Sequence, residues 1–143
     1  MKKMLSLASL LLVALVVGCG GDDGGGGGGQ PQNDEAAIRK VVSDFGKAFN
    51  DGKAGDLHKL LDSESRKGCS EKDLSTILAL VKTLSGGTKF GVETTSVKVN
   101  GDTATAVVVP TIGGEKQDPE ENKLVKEDGK WKLSFGSGND CDI

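Results

Sequence analysis

Tyrosine is absent from the 143 residues, and tryptophan and histidine occur once each, as Trp131 and His58. With only four phenylalanines besides, the chain has few platforms on which nucleic-acid bases could stack. Nor is there a basic surplus, since 18 Lys and Arg face 21 Asp and Glu and no basic stripe carries interleaved aromatics. Affinity for a phosphate backbone comes from Lys and Arg, so no nucleic-acid partner is expected. One histidine and three dispersed cysteines give no zinc spacing. The acidic stretch Asp118-Pro119-Glu120-Glu121 lacks the alternating oxygen ligands and closing acid of a calcium loop, and reads as a solvated loop. No metal and no cofactor is expected. A GxSxG elbow is missing, and His58 has no evident serine partner. The six consecutive glycines Gly24 to Gly29 match GxGxxG trivially, but no strand precedes them and no helix or ribose-binding acid follows in place, which discards nucleotide binding.

The one long apolar run, Met4 to Val17, is broken only by Ser6 and Ser9 and follows Lys2 and Lys3. It falls short of the roughly 20 apolar residues that cross a bilayer, so residues 1–18 read as a secretory leader. Val16-Val17-Gly18-Cys19 resembles the lipobox of bacterial lipoproteins. The resemblance implies cleavage before Cys19, a diacylglyceryl group on its thiol, and a lipid-anchored position on the extracytoplasmic face of the cell membrane. The alternative is a buried thiol beside an ordinary cleavage site. Two acyl chains, at about 0.8 kcal/mol per buried methylene, hold a protein stably where one does not. Residues 19–33 then form a lipidated cysteine and a glycine-rich tether with almost nothing to pack, spanning about 20 Å.

Loss of the leader removes Lys2 and Lys3, leaving 16 basic against 21 acidic residues and a net charge of −5. About 110 residues follow the tether, enough for one modest domain, residues 34–143. With Cys19 taken by lipid, Cys69 and Cys141 remain. Export to an oxidising envelope allows them to pair, closing a long loop worth about 4 kcal/mol in the chain-entropy model. Two free thiols or a metal pair are the alternatives, and neither has a supporting His or Cys nearby.

In the domain, Ile38, Val41, Val42, Phe45, Ala48 and Phe49 recur in steps of three and four, one stripe of a helix over Asp34 to Phe49, capped by Asn33 and ended by Asp51-Gly52. A shorter helix is predicted around Asp56 to Asp62, burying Leu57, Leu60 and Leu61. Ser63 to Gly68 reads as a loop. Ser70-Glu71-Lys72-Asp73 is a variant capping box opening a third helix, whose apolar face is Leu74, Ile77, Leu78, Val81 and Leu84, with Gly86-Gly87 as its stop. Beyond Gly87 the period becomes alternating. Asn100-Gly101 and Asp128-Gly129 mark hairpins, and the second sets Leu124 opposite Leu133, with Trp131 and Phe135 on the same face and Lys126 opposite Trp131. Gly113-Gly114 connects the second and third strands, while Pro110 and Pro119 mark the ends of regular pairing. Three helices followed by at least four meandering strands predict an α+β fold, the helices packed on one face of a curved antiparallel sheet.

The first helix DEAAIRKVVSDFGKAFNDGKAGDL, the strands VKVNGDTATAVVV and the hairpin LVKEDGKWKLSF together resemble the nuclear-transport-factor-2-like superfamily, the α+β cone fold, over residues 34–136. The resemblance implies a bent sheet around a pocket whose mouth helices partly close; it implies no single activity. Enzymes of that superfamily include isomerases, dehydratases and epoxide hydrolases. The steroid-isomerase type needs a tyrosine, which this chain lacks, and the epoxide-hydrolase type needs an Asp-Arg-Asp set, for which only Arg39 and Arg66 are available, both in patterns that read as exposed. The expectation is therefore a membrane-tethered binding or accessory module. Its pocket, from Phe45, Phe49, His58, Trp131, Leu133 and Phe135, would take a small apolar or amphipathic molecule, or its sheet would dock an envelope protein or a second copy as a homodimer. Inward-facing Ala104 and Ala106 could leave room for the cavity. The alternative is a hydrolase or isomerase using His58 or a buried acid as base. Each of these residues also has a plainer reading: His58 as a helix-surface residue, and Trp131 as core with the Lys126 stem over its ring.

Overall fold

In the computed structural model, which describes residues 31–136 together with Cys141, helix α1 runs from Pro31 to Asp51. The leader, Cys19 and the tether up to residue 30 lie outside the described residues. Pro31, Gln32 and Asn33 extend the helix, so Asn33 lies within its first turn and does not cap it. Proline suits that end, because its fixed φ is helical and its missing N–H is one that a first turn leaves unpaired anyway. Helices α2 (Ala54–Leu60), α3 (Ser63–Gly68) and α4 (Glu71–Leu84) follow. The expected loop at Ser63 to Gly68 is thus a fourth helix. SESRKG has no apolar period to betray it, and it forms because the Asp62 carboxylate caps it, accepting from Ser65 N at 2.8 Å. The capping box of α4 is present as expected, Ser70 and Asp73 satisfying each other's backbone N–H.

Strands β1 (Phe90–Asn100), β2 (Thr103–Ile112), β3 (Glu115–Lys116), β4 (Glu120–Glu127) and β5 (Lys130–Ser134) form one antiparallel sheet ordered β1-β2-β4-β5, with two-residue β3 on β2. Leu124 pairs with Leu133, and Asp128 and Gly129 both take positive φ, the signs of a type I′ turn. In the first hairpin Asn100 pairs with Thr103, so the turn is centred on Gly101-Asp102, one residue later than expected; only Gly101 is at positive φ, as in type II′. Pro110 does not end the β1–β2 ladder, which continues to Ile112; it lies beyond the last β2–β4 pair, Val108 with Glu120. Between Thr94 and Ser96 the register shifts, and the resulting bulge bends β1.

Helix α1 lies across the concave face and packs on both edge strands, β1 and β5. Ile38, Val42 and Ala48 meet Ala104, Ala106, Val108, Leu124, Trp131 and Leu133 in one core, completed by Leu57, Leu61, Leu74 and Leu78. Leu60 is only half-buried, and Leu84, expected on the apolar face of its helix, is 77% exposed because the last turn of α4 stands clear of the body. Side chains of α1 also satisfy backbone groups of β1: the Asn50 amide accepts from Phe90 N at 2.9 Å and donates to Phe90 O, and Arg39 donates to Thr94 O. At the other end, the half-buried Asp34 carboxylate accepts from Lys126 Nζ at 2.8 Å and Trp131 Nε1 at 2.9 Å. The Lys126 ammonium lies 5.5 Å from the indole centroid. Edge strand β5 is covered in turn, Asp62 N donating to Leu133 O at 2.8 Å beside the parallel Leu61–Leu133 bridge. Cys69 and Cys141 are joined, with Cα atoms 4.8 Å apart across 72 residues, tying the C-terminal tail to the α3–α4 junction.

Helix α1 comes close to the sheet at Gly46, which is buried; a Cβ there would lie 2.7 Å from Val92 Cγ2. Alanine would gain about 1 kcal/mol of helix propensity, but displacing a stiff β-branched neighbour costs about 1–3 kcal/mol. Gly46→Ala is therefore expected to lower stability by about 1 kcal/mol, and to raise it in a Val92→Ala background; urea denaturation that showed Gly46→Ala stabilising by itself would refute the close approach. The Asp34 carboxyl is held below its ordinary 3.8, first by the Lys126 hydrogen bond and then by that from Trp131. A depressed carboxylate stabilises above its unfolded pKa and loses that contribution as pH falls through its folded one. Asp34→Asn should thus be less stable than the parent at neutral pH, and the gap should narrow below 3.8, as read from urea midpoints across that range.

Candidate functional site

The inward face of the sheet is filled unevenly. At one end Ala104 and Ala106 are buried in the core, and neither lines the cavity at the other end. At the other end α4 turns away onto α2, and a cavity of about 510 Å³ remains between α1, the last turn of α4 and the sheet. That volume is within the range of about 300–1,000 Å³ usual for small-molecule sites. Helix α1 lines it with Val42, Phe45 and Phe49, and α4 with Val81 and Ser85. From the sheet come Phe90 and Val92 of β1, Val108, Pro110 and Ile112 of β2, and Leu133 with Phe135 at the end of β5. The pairs Phe90–Ile112 and Val92–Pro110 set these side chains on one face.

All four phenylalanines of the chain line this one cavity. Their ring centroids form a row, Phe135 to Phe45 at 6.2 Å, Phe45 to Phe49 at 6.3 Å and Phe49 to Phe90 at 5.0 Å, within aromatic contact range. The mouth is open, with Ile112 51% and Phe135 36% exposed. Its rim is polar, formed by Thr88, Lys89, Gln117, Glu120 and Asn122. Lys89 and Glu120 are the two charged side chains of the lining, and both are exposed. The arrangement can enclose an apolar body and present hydrogen-bonding groups to a polar end.

Of the six residues expected at a pocket, Phe45, Phe49, Leu133 and Phe135 line this cavity. His58 does not; it is half-buried on α2, away from the lining. Trp131 does not either, being 4% exposed in the core with its N–H on Asp34. The mostly covered acids are likewise occupied elsewhere, Asp34 by Lys126 and Trp131, and Asp62 as the cap of α3. Arg39 and Arg66 are half-buried and turned to Glu35 with Thr94 O and to Glu127, respectively. Among the described residues, no cluster of three His, Cys, Asp or Glu side chains could hold a metal ion, and no helix is long and apolar enough to cross a membrane. The sequence reasoning missed Phe90 and Val92. Alternation counted back from inward Val97 and Val99 turns both of them outward, and only the bulge at Thr95 reverses the face.

Three solved structures share the fold. A domain of unknown function with a cystatin-like fold from Nostoc punctiforme is 18% identical, with a TM-score of 0.52 over 73% of this chain and 75% of that one. An NTF2-like transpeptidase from Campylobacter jejuni is 18% identical, with a TM-score of 0.50 over 73% of this chain and 99% of its own. A protein of unknown function from Mycobacterium tuberculosis is 12% identical, with a TM-score of 0.53 over 73% and 72%. At these identities the likeness establishes the nuclear-transport-factor-2-like cone and nothing of its chemistry. No curated protein matches the sequence. The sequence model described as "Low molecular weight antigen MTB12, C-terminal domain" matches residues 68–139, half of the chain, from the end of α3 through β5. The chain therefore belongs to the family of the low molecular weight antigen MTB12 C-terminal domain.

Proposed function

We propose that the protein is a lipid-anchored extracytoplasmic binding module that holds a small apolar or amphipathic molecule in the cone. The observation that carries this reading is the convergence of all four phenylalanines on one open cavity of about 510 Å³. Aromatic side chains placed only for stability would be closed over, whereas Phe135 remains 36% exposed at the mouth and Ile112 51%. The anchor is supported by Lys2, Lys3, the apolar run and Cys19, and an oxidising compartment by the pairing of Cys69 with Cys141. A hydrolase or isomerase built on His58 or on Asp34 and Asp62 draws no support from their positions, all away from the cavity lining.

Binding is read with an apolar dye whose fluorescence rises on desolvation. Phe135→Ala should weaken the dye by about five- to tenfold, the share of a half-buried ring, while lowering stability by no more than about 1 kcal/mol. Leu133→Ala, 3% exposed, should instead cost about 2–5 kcal/mol of stability. No dye binding by the parent protein, or an affinity indifferent to Phe135→Ala, would sink the pocket. For the anchor, Cys19→Ser should move the protein from the membrane fraction to the soluble one; a variant that stays with the membrane and keeps its lipid mass would overturn lipidation at Cys19.

A further inference from the structure

Beside the aromatic cavity lies a second cleft of about 470 Å³, between the C-terminal ends of α1 and α4. The two share Phe49, Val81, Ser85, Thr88 and Lys89, so the apolar chamber continues into the cleft around the α4–β1 connection. In a chain with an acidic surplus, the cleft is lined by three lysines, Lys47, Lys82 and Lys89, against one acid, Asp51. Asp51 lies 3.1 Å from Lys53, and Lys47 reaches Asp44 only at 3.9 Å. Lys82 and Lys89 make no ion pair among the described residues. The two helix C-termini add about half a negative charge each, which together with Asp51 still leaves the cleft positive by about one charge. Glu120, the acid of the aromatic cavity, does not line this cleft.

We infer that the ligand is a single-chain amphiphile with an anionic head group, its chain along the phenylalanine row and its carboxylate or phosphate among Lys47, Lys82 and Lys89. This rests on the cavity being a ligand site, and adds which end of the molecule lies where. The chain is excluded from water by the apolar wall, and the head gains charge-assisted hydrogen bonds without entering a dry interior. Because the lysines are solvated, the preference for charge weakens with salt, while the contribution of the apolar chain persists.

The test is calorimetric titration of the mature chain carrying Cys19→Ser, so that neither an acyl anchor nor detergent competes. The probes are dodecanoate, dodecyl phosphate, dodecanol and dodecyltrimethylammonium below their micelle-forming concentrations. The anions should bind about tenfold or more tightly than the alcohol. In Lys47→Gln/Lys82→Gln, two lysines that line the cleft but not the aromatic cavity, that ratio should fall to within about threefold, with the alcohol unchanged. Equal binding of anions and alcohol, or tighter binding of the cation, overturns the head-group assignment and leaves the cavity standing. Failure of all four probes overturns the cavity as a ligand site as well.

Discussion

A bent sheet has two free edges and one concave face, and here a single helix crosses the face from edge to edge while Leu61 and Asp62 pair with the β5 edge. Helix α1 reaches from β5 to β1, and its position is set at three points along its length. Asp34 is held by Lys126 and Trp131, Gly46 lets the backbone come down onto Val92, and the Asn50 amide pairs both ways with Phe90. None of the three is interchangeable. A longer side chain at Gly46 would lift the helix, and a lifted helix would exchange the Asn50 amide on Phe90 N and O for water and lose that tie between α1 and the edge strand.

The cavity is a consequence of that placement. Around the first half of α1, Ile38 and Val42 share one core with Ala104, Ala106, Leu124, Trp131 and Leu133, and the space is filled. Further along, β2 continues with Val108, Pro110 and Ile112, and the bulge in β1 bends the edge strand. Helix α4, which could have covered this end, packs on α2 through Leu74 and Leu78. The four phenylalanines then form a wall with no layer opposite it. A well-packed domain tolerates few such voids, and one this large, open to solvent at Ile112 and Phe135, is more economically explained as space for something else than as a packing defect.

The sequence carries the helices that have an apolar period and the hairpins that have a turn signal. α1 and α4 are evident from their stripes, and the last hairpin is correct to the residue because Asp128-Gly129 admits one turn type. What it hides are features that depend on a contact from elsewhere in the chain. Helix α3 has no period, since it is six residues held by a cap at Asp62. Simple alternation along β1 would turn Phe90 and Val92 outward, and one inserted residue at Thr95, with no glycine or proline to announce it, turns them inward. Three of the four phenylalanines of the wall are therefore legible, Phe45 and Phe49 on a helical stripe and Phe135 on the inward face of the last hairpin. The β1 contribution was invisible because period-2 reasoning has no memory of a bulge. Trp131 and His58 were drawn toward the site by chemistry alone; Trp131 needed a partner for its N–H, and Asp34 supplies it in the core.

Stabilising elements and cavity walls are segregated along the same helices. In α4 the N-terminal end is fixed by the capping box at Ser70 and Asp73, by the Cys69–Cys141 link just before it, and by buried Leu74 and Leu78. Its C-terminal end supplies Val81 and Ser85 to the cavity while Leu80 and Leu84 face solvent. In α1 the division is between faces instead of ends, Phe45 and Phe49 lining the cavity while Gly46, Ala48 and Asn50 between and beside them hold the helix on the sheet. The capped, cross-linked and densely packed end of the domain can therefore hold the fold while the other end changes. Substitutions at Val81 or Ile112 would reshape the cavity at little cost in stability, because both side chains are partly exposed. A cone built in this way can have its open end reshaped without being refolded.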